Sequence, residues 1–127
     1  MSACEPCGKL TIRVPTMPAD ANAAGDVFGG WVVAQMDLAA GVRSSEEAKG
    51  RVVTAAINTL AFKRPVKIGD VLEVYTTLEK TGRTSLTLSV EAWAQRYLAH
   101  EKVKVTEASF VMVAVDENGK PRPVPSS

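Results

Sequence analysis

Two adjacent glycines and an aspartate seven residues after the second are the residues whose types and spacing could do chemistry. Gly29 and Gly30 open a stretch without proline, and Asp37 stands in the apolar run that follows. On a helix, Gly30 and Asp37 would share one face, about 10 Å apart along the axis. The first amides of a helix lack intrahelical partners and carry the positive end of its dipole. Such a pair could form an oxyanion hole beside a carboxylate, an arrangement that would suit hydrolysis of an activated acyl group.

The residues alone favour structural interpretations over catalysis. The two glycines could let the start of a helix pack closely against a strand, and Asp37 could be a solvated or hydrogen-bonded interface residue. Asp26 fits a helix N-cap or a first-turn acid, and Asn22 fits a turn. Two flexible glycines nevertheless weaken a helix start unless something requires them.

Composition limits the class of protein. The chain has 127 residues, of which 46% are hydrophobic and 23% charged, with a formal net charge of +1. One soluble globular domain is therefore expected, without whole-chain attraction to nucleic acid or to an anionic membrane. The apolar runs are too short for a membrane span, and no secretory signal is evident, which predicts a cytoplasmic location.

A CxxC pair at the start of the chain is the one cysteine motif. Cys4 and Cys7 have no further cysteine nearby, and His100 is distant in sequence. We interpret residues 1–8 as a mobile, reduced N-terminus, with a zinc site shared between subunits as the alternative. The segment "GDVFGG" lacks the spacing of a dinucleotide-binding loop. No metal and no cofactor are predicted, because water would be the second substrate.

The order of the elements predicts the fold class. One strand, a loop, one long helix ending near Gly50 and four strands follow one another, with a hairpin turn at residues 80–83. The predicted strands are 10–14, 52–62, 72–79, 86–92 and 103–115, and the predicted helix is 27–47. Short turns imply an antiparallel sheet, which would wrap the helix in an α+β fold. The strand at 52–62 is apolar on both faces, so it should be covered on both sides. The apolar strand surface left over argues for an oligomer.

Several segments in the right order resemble a known family. They are "MPADANAAGDVFGGWVVAQMDLAAG", "GRVVTAAINTLAFKRPVKIGDVLEVY", "KTGRTSLTLSVEAW" and "VTEASFVMVAVDENGKPRPVP". Together they span about residues 11–125 and resemble hot-dog fold acyl-CoA thioesterases of the bacterial YciA type.

The resemblance implies a fold, an assembly and a reaction. The expected fold is the hot-dog, a central helix wrapped by a five-stranded antiparallel sheet, over residues 9–120, with a proline-rich extended tail at 121–127. Homodimers joined edge to edge, assembled as a trimer of dimers, would hydrolyse acyl-CoA to CoA and a carboxylic acid. The family's catalytic carboxylate falls on Asp37, acting as general base or nucleophile, and its oxyanion donors fall on the backbone from Phe28 to Gly30. Asp26 is carried over as a second catalytic residue that faces the other subunit.

The resemblance also implies contacts to the coenzyme. They map onto Asn22, Phe28, Lys63, Arg64, Pro65, Gly82, Arg83, Thr84 and Ser85. Arginines in loops at strand ends can bind a phosphate in bidentate fashion. Without the resemblance, Arg64 and Arg83 would be better explained as solvated loop cations. The chain departs from its relatives at Asn58, near which they often carry an acid, so we expect no catalytic role there.

Three rival functions remain to be separated by experiment. A non-catalytic acyl-CoA sensor would use the same cleft, but such modules usually carry a DNA-binding segment, and none is evident here. A hot-dog dehydratase would need a histidine in the site, and His100 lies outside the helix region. A purely structural oligomer leaves Gly30 and Asp37 unexplained.

Overall fold

The computed structural model describes residues 5–125, so Cys4 and residues 126–127 lie outside the described part. Its elements are β1 (Lys9–Pro15), a short 3-10 turn (Pro18–Asp20), the helix α1 (Gly29–Ala48), β2 (Val52–Phe62), β3 (Val71–Thr81), β4 (Ser85–Gln95) and β5 (Lys102–Ala114). The predicted order of one strand, one long helix and four strands is confirmed.

The five strands form one antiparallel sheet in the order β1-β3-β4-β5-β2. Helix α1 lies against one face and contacts all five strands. Val32, Met36 and Ala40 on the helix are buried in one core with Leu88 and Phe110 of the sheet. The predicted α+β class, with a sheet wrapped around one helix, is confirmed.

The helix begins later than the sequence pattern predicts. The prediction of residue 27 as its start, and of Asp26 as its N-cap, is wrong, because the N-cap is Phe28. The amide of Val27 donates to the Val66 carbonyl at 2.8 Å, and the amide of Phe28 donates to the Asp20 carbonyl at 2.9 Å. These bonds hold the two residues in extended chain, so the first helical amides belong to the glycines.

Strand β2 is an edge strand with little cover. Its side chains at Val53, Ile57, Leu60 and Phe62 are between 36% and 45% exposed. The prediction that this strand is covered on both sides is therefore wrong for the single chain. An apolar edge strand left open is a template for pairing with another chain.

The hairpin turn and the C-terminal tail also differ from the sequence prediction. Because β3 continues to Thr81 and β4 begins at Ser85, the predicted turn at 80–83 lies instead at 82–84. The tail folds back onto the domain: Pro121 bridges to Val115, and the amide of Val124 donates to the Arg83 carbonyl. Within residues 5–125, no helix has both the length and the apolar character that crossing a membrane requires.

Candidate active site

Asp37 lies two turns into α1, on the side of the helix that faces β2. Its Oδ1 accepts a hydrogen bond of 2.5 Å from the Thr54 hydroxyl. A cleft of about 490 Å³ opens beside the two residues, lined also by Gly41, Val53 and Met112. No heavy atom lies within 4 Å of the position that a Cβ on Gly41 would occupy, so the helix surface one turn past Asp37 is open.

The start of α1 presents unobstructed amides. Gly29 and Gly30 are the first two helical residues, and both are exposed. A Cβ on Gly30 would meet nothing within 4 Å, whereas a Cβ on Gly29 would contact the Phe62 ring at 3.5 Å. The two amide hydrogens precede the first intrahelical bonds, which run from Trp31 and Val32 to the Phe28 carbonyl. A ligand oxygen can therefore reach them without displacing a side chain.

A second cleft joins this helix start to predicted coenzyme contacts. It measures about 340 Å³ and is lined by Gly29, Phe62, Lys63, Arg64 and Pro65, among others. One arm of the Arg64 guanidinium donates to the Lys104 carbonyl at 3.3 Å. The structure thus brings the predicted oxyanion donors and the predicted coenzyme contacts at 63–65 to one end of the helix.

The predicted contacts at 82–85 lie elsewhere in the chain. Gly82 shares a different cleft, of about 470 Å³, with Glu47 near the last turn of α1. The helix has 20 residues, so this turn is about 30 Å from Gly29 along the axis. A single chain therefore does not unite Gly82, Arg83, Thr84 and Ser85 with the helix start.

Asp26 and Asn22 shape the loop that leads into the helix. The Asn22 side chain accepts from the amides of Ala24 and Asp26 at 2.9 and 3.1 Å, which is the turn role expected for it. Asp26 forms an ion pair with Lys67, and the two residues also form a β-bridge. No hydrogen bond joins Asp26 to Asp37 within residues 5–125.

A network of charged side chains on the other face of the sheet was not predicted. Glu73 is buried, yet it accepts from Arg13, Tyr75 and Lys102 at 2.8–2.9 Å. Burial alone would raise the pKa of Glu73, but the hydrogen bonds from Lys102, Tyr75 and Arg13 outweigh it and hold the pKa below its usual value. The alternation of β3 had indicated only that Glu73 lies on the polar face, and no local signal indicates its burial.

Other groups with reactive or ligating side chains stand apart from this site. Cys7 is an exposed free thiol, and its amide donates to Glu91 at 3.1 Å. His100 is exposed and lines a separate cleft beside the loop between β4 and β5. Across residues 5–125, His, Cys, Asp and Glu side chains form no cluster of three or more that could hold a metal ion.

A family model matches the part of the chain that carries most of this fold. Residues 24–97, more than half of the chain, match the model of the thioesterase superfamily. The protein belongs to that superfamily, and the predicted hot-dog fold is confirmed.

Individual proteins similar to this chain are named as thioesterases. The chain is 45% identical over 123 residues to the acyl-CoA thioester hydrolase YciA of Salmonella typhimurium, covering 94% of this chain and 92% of the relative. It superposes on a hexameric thioesterase from Yersinia pestis with a TM-score of 0.94 and 43% identity, covering 96% of this chain and all of the other. A hexameric broad-specificity acyl-coenzyme A thioesterase matches with a TM-score of 0.91 and 40% identity, over 97% of this chain and 85% of the other.

Proposed function

We propose that this protein hydrolyses acyl-CoA thioesters to free CoA and a carboxylic acid. The observation that carries the proposal is the placement of the Asp37 carboxylate on the helix that begins with the open amides of Gly29 and Gly30. Membership of the thioesterase superfamily, and relatives named as acyl-CoA thioester hydrolases, support the same reaction.

The helix start supplies electrostatic stabilisation in this proposal. The amide hydrogens of Gly29 and Gly30 donate to the thioester carbonyl oxygen, which becomes an oxyanion when the carbonyl carbon is attacked. The positive end of the helix dipole adds to their effect. Donors held in place before the reaction need no reorganisation when charge develops.

Asp37 supplies the base or the nucleophile. As a general base it takes a proton from water while the water oxygen bonds to the thioester carbon. As a nucleophile its own oxygen forms that bond, giving a mixed anhydride that water then hydrolyses. In both routes the carbon–sulfur bond breaks and the electron pair leaves with the CoA sulfur. A single turnover in heavy-oxygen water separates them, because only the anhydride route can leave label in the Asp37 carboxylate.

The cleft at residues 63–65 is the proposed entrance for the nucleotide end of CoA. Lys63 and Arg64 place two cations beside Gly29, and phosphate is their natural partner. Arg64→Ala should raise KM for acyl-CoA about tenfold, which is the size of one charged hydrogen bond. The same variant should leave KM unchanged for an acyl N-acetylcysteamine thioester, which has no phosphate. An equal rise in KM for both substrates would contradict this contact.

We further propose that the active site is completed by a second copy of the chain. Leu38 of the helix is 57% exposed and Ile57 of β2 is 38% exposed, on the two elements that flank Asp37. Pairing of two β2 edges would cover both side chains and bring the partner's helix toward the cleft. The solved relatives are hexamers, so a trimer of dimers is the assembly proposed here. Asp26 keeps its proposed role across that interface, and residues 82–85 would reach the coenzyme from another subunit.

The proposal needs no metal or organic cofactor, because water is the second substrate. A cytoplasmic location and the absence of a nucleic-acid partner stay predictions from the sequence.

A panel of acyl-CoA esters of increasing chain length, assayed by thiol release and by calorimetric binding, tests the function. Turnover is expected. Binding without turnover would instead favour a sensor, and neither binding nor turnover would favour a structural role; each of these two results overturns the proposal.

A further inference from the structure

We infer that Arg96 and Asp70 are positioning residues for the reaction, because their ion pair holds the chain segment that fixes the start of α1. Arg96 directly follows β4, and Asp70 directly precedes β3. The inference rests on the proposed thioester hydrolysis and adds to it a pair of residues that lines neither the cleft of Gly29 nor that of Asp37.

The Asp70 carboxylate is buried and bonded to two separate parts of the chain. Its side chain is only 2% exposed, whereas that of Arg96 is 24% exposed. Asp70 Oδ2 accepts from Arg96 Nη1 at 2.6 Å and from the amide of Lys67 at 2.8 Å. A carboxylate removed from water stays charged only when it is paired, and hydrogen bonds between charged groups are the strong ones. The loop after β4 is therefore tied firmly to the turn before β3.

The same arginine nitrogen also holds the wall of the cleft at the helix start. Arg96 Nη1 donates a second hydrogen bond, of 3.2 Å, to the Pro65 carbonyl. Pro65 and Val66 both line that cleft. The turn is closed by the amide of Asp70, which donates to the Lys67 carbonyl at 3.0 Å. The ion pair thus fixes the backbone on both sides of Val66.

Val66 connects this segment to the helix start. Its carbonyl accepts the amide of Val27 at 2.8 Å. This bond keeps Val27 out of the helix, which begins at Gly29, so the amides of Gly29 and Gly30 stay free for a ligand oxygen. Donors of this kind act only where they are held in place, and a displacement of about 1 Å can cost about 100-fold in rate. Loss of the ion pair should therefore lower kcat more than it weakens substrate binding.

Substitutions of Arg96 test the role. The side chain in Arg96→Gln is too short to bond to both oxygens. We expect kcat to fall about tenfold for acyl-CoA and for an acyl N-acetylcysteamine thioester alike, which is part of the roughly 10²–10³-fold loss caused by removal of an oxyanion donor. KM for the N-acetylcysteamine thioester should change by less than about twofold. Arg96→Lys should keep kcat within about threefold of the wild type, because one ammonium can donate to both oxygens.

A double variant keeps the test valid if the single variant folds poorly. Arg96→Gln alone leaves the buried Asp70 carboxylate without its cation, which is strongly destabilising. Asp70→Asn combined with Arg96→Gln removes both charges and leaves no unpaired buried ion. We expect the same fall in kcat in the double variant, since the bond to the Pro65 carbonyl is lost there too.

Arg13→Gln is the matched control. Arg13 also pairs with a buried carboxylate, that of Glu73, at 2.9 Å, but it lies on β1 and lines neither cleft. This variant should lose stability and keep the wild-type kcat. Hydrogen exchange of the amides of residues 22–30, measured by mass spectrometry, should become faster in Arg96→Gln and stay unchanged in Arg13→Gln, because only the first frees the Val66 carbonyl to move.

The other outcomes identify what fails. Wild-type kcat in a folded Arg96→Gln or double variant would overturn the role of the ion pair, and so would an equal loss of kcat in Arg13→Gln. Unchanged hydrogen exchange at residues 22–30 in Arg96→Gln would also overturn it. A rise in KM for acyl-CoA alone would limit the ion pair to support of the cations at 63–64, against the role inferred here. A wild-type protein that hydrolyses neither substrate would overturn the proposed function, and this role with it.

Discussion

At the scale of single residues, similar carboxylates have different neighbours and therefore different uses. Asp26 pairs with the Lys67 ammonium, whereas Asp37 accepts from the neutral hydroxyl of Thr54. A lysine partner neutralises a carboxylate and occupies it, while a hydroxyl orients it and leaves its charge intact. The single chain therefore favours Asp37 over Asp26 as the group that attacks or activates water.

Glu73 shows the opposite use of a carboxylate, as part of a structural network. Its side chain is only 4% exposed, and it contacts the guanidinium of Arg13, which is 52% exposed, and the ammonium of Lys102, which is 36% exposed. The hydrogen bond to Glu73 is the largest cause that raises the pKa of Lys102, so each partner stabilises the charged form of the other.

This network makes folding stability depend on pH. The pKa of Glu73 is lowered from 4.5, so its contribution is complete above that pH and is lost as the pH falls through the folded-state value. Glu73→Gln should lower the free energy of unfolding by about 1–2 kcal/mol at neutral pH, less than for a fully buried pair because Arg13 and Lys102 stay partly hydrated. Urea unfolding at neutral pH and at a pH below 4.5 should show the difference between variant and wild type shrinking in acid.

The exposed Glu79 on the same strand provides the control. Glu79→Gln should change the free energy of unfolding by less than about 0.5 kcal/mol at either pH, as exposed substitutions usually do. A Glu73→Gln penalty that is the same at acidic and neutral pH would contradict the account of the network.

At the scale of elements, hydrogen bonds to distant residues determine where helix α1 begins and how it ends. Its start is displaced to Gly29 because the carbonyls of Val66 and Asp20 take the preceding amides. At its other end Lys49 adopts the left-handed conformation, with φ of 55°, and the Arg122 guanidinium donates to the Ala48 carbonyl at 3.1 Å. The tail thus caps the helix, a long-range contact that no local pattern around Gly50 could indicate.

Substitutions at the end of the helix should separate the cost of the left-handed conformation at Lys49 from the contribution of the Arg122 cap. Lys49→Gly should raise the free energy of unfolding by about 0.5–1 kcal/mol, since glycine adopts a left-handed conformation without the Cβ penalty. Gly50→Ala should lower it by about 1 kcal/mol, because the new Cβ would lie 2.5 Å from Arg122 Nη2 and displace the cap. Urea unfolding measures both changes. In an Arg122→Ala background Gly50→Ala should cost almost nothing, and an undiminished cost there would contradict the capping role.

The elements themselves were largely predictable, and their contacts were not. Alternation in β3 and β4, and the absence of proline after Gly29, identify the strands and the helix because these patterns depend on local geometry. The observed start of the helix differs from the predicted one because a distant carbonyl accepts the amide hydrogen of Val27. The exposure of β2 was missed for a related reason: apolar residues on both faces indicate burial, but not whether this chain or another one provides the cover.

At the scale of the whole molecule, the separation of the predicted site into different clefts is the main finding. The spacing of Gly30 and Asp37 was readable from helical periodicity, and the residues at 63–65 join the helix start as expected from the resemblance. Thr54 carried no signal in the sequence, because a threonine in a strand is ordinary. The distance between Gly29 and Gly82 in one chain is the strongest structural reason to place the complete site between subunits.

Disruption of the open β2 edge should remove both assembly and activity. Ile57→Asp places a charge where a second copy is expected to pack, at a position outside the Asp37 cleft. Sedimentation velocity should show a shift to monomers, and the thiol-release rate should fall at least about tenfold because each site loses its partner. Ile57→Val, which keeps the apolar surface, should retain the wild-type assembly and rate. A fully active Ile57→Asp monomer would show that the site lies within one chain.

The most direct test of the account is the turnover number of Asp37→Asn with an acyl-CoA ester that the wild-type protein hydrolyses. Asparagine keeps the size of the side chain and can still contact Thr54, but it cannot accept a proton from water or form an anhydride as the carboxylate does. We predict that kcat falls by about 10²–10⁴, the range typical of a positioned base, while circular dichroism and sedimentation match the wild type. Hydrolysis by a folded Asp37→Asn protein at the wild-type rate would contradict the assignment of Asp37 and the mechanism built on it.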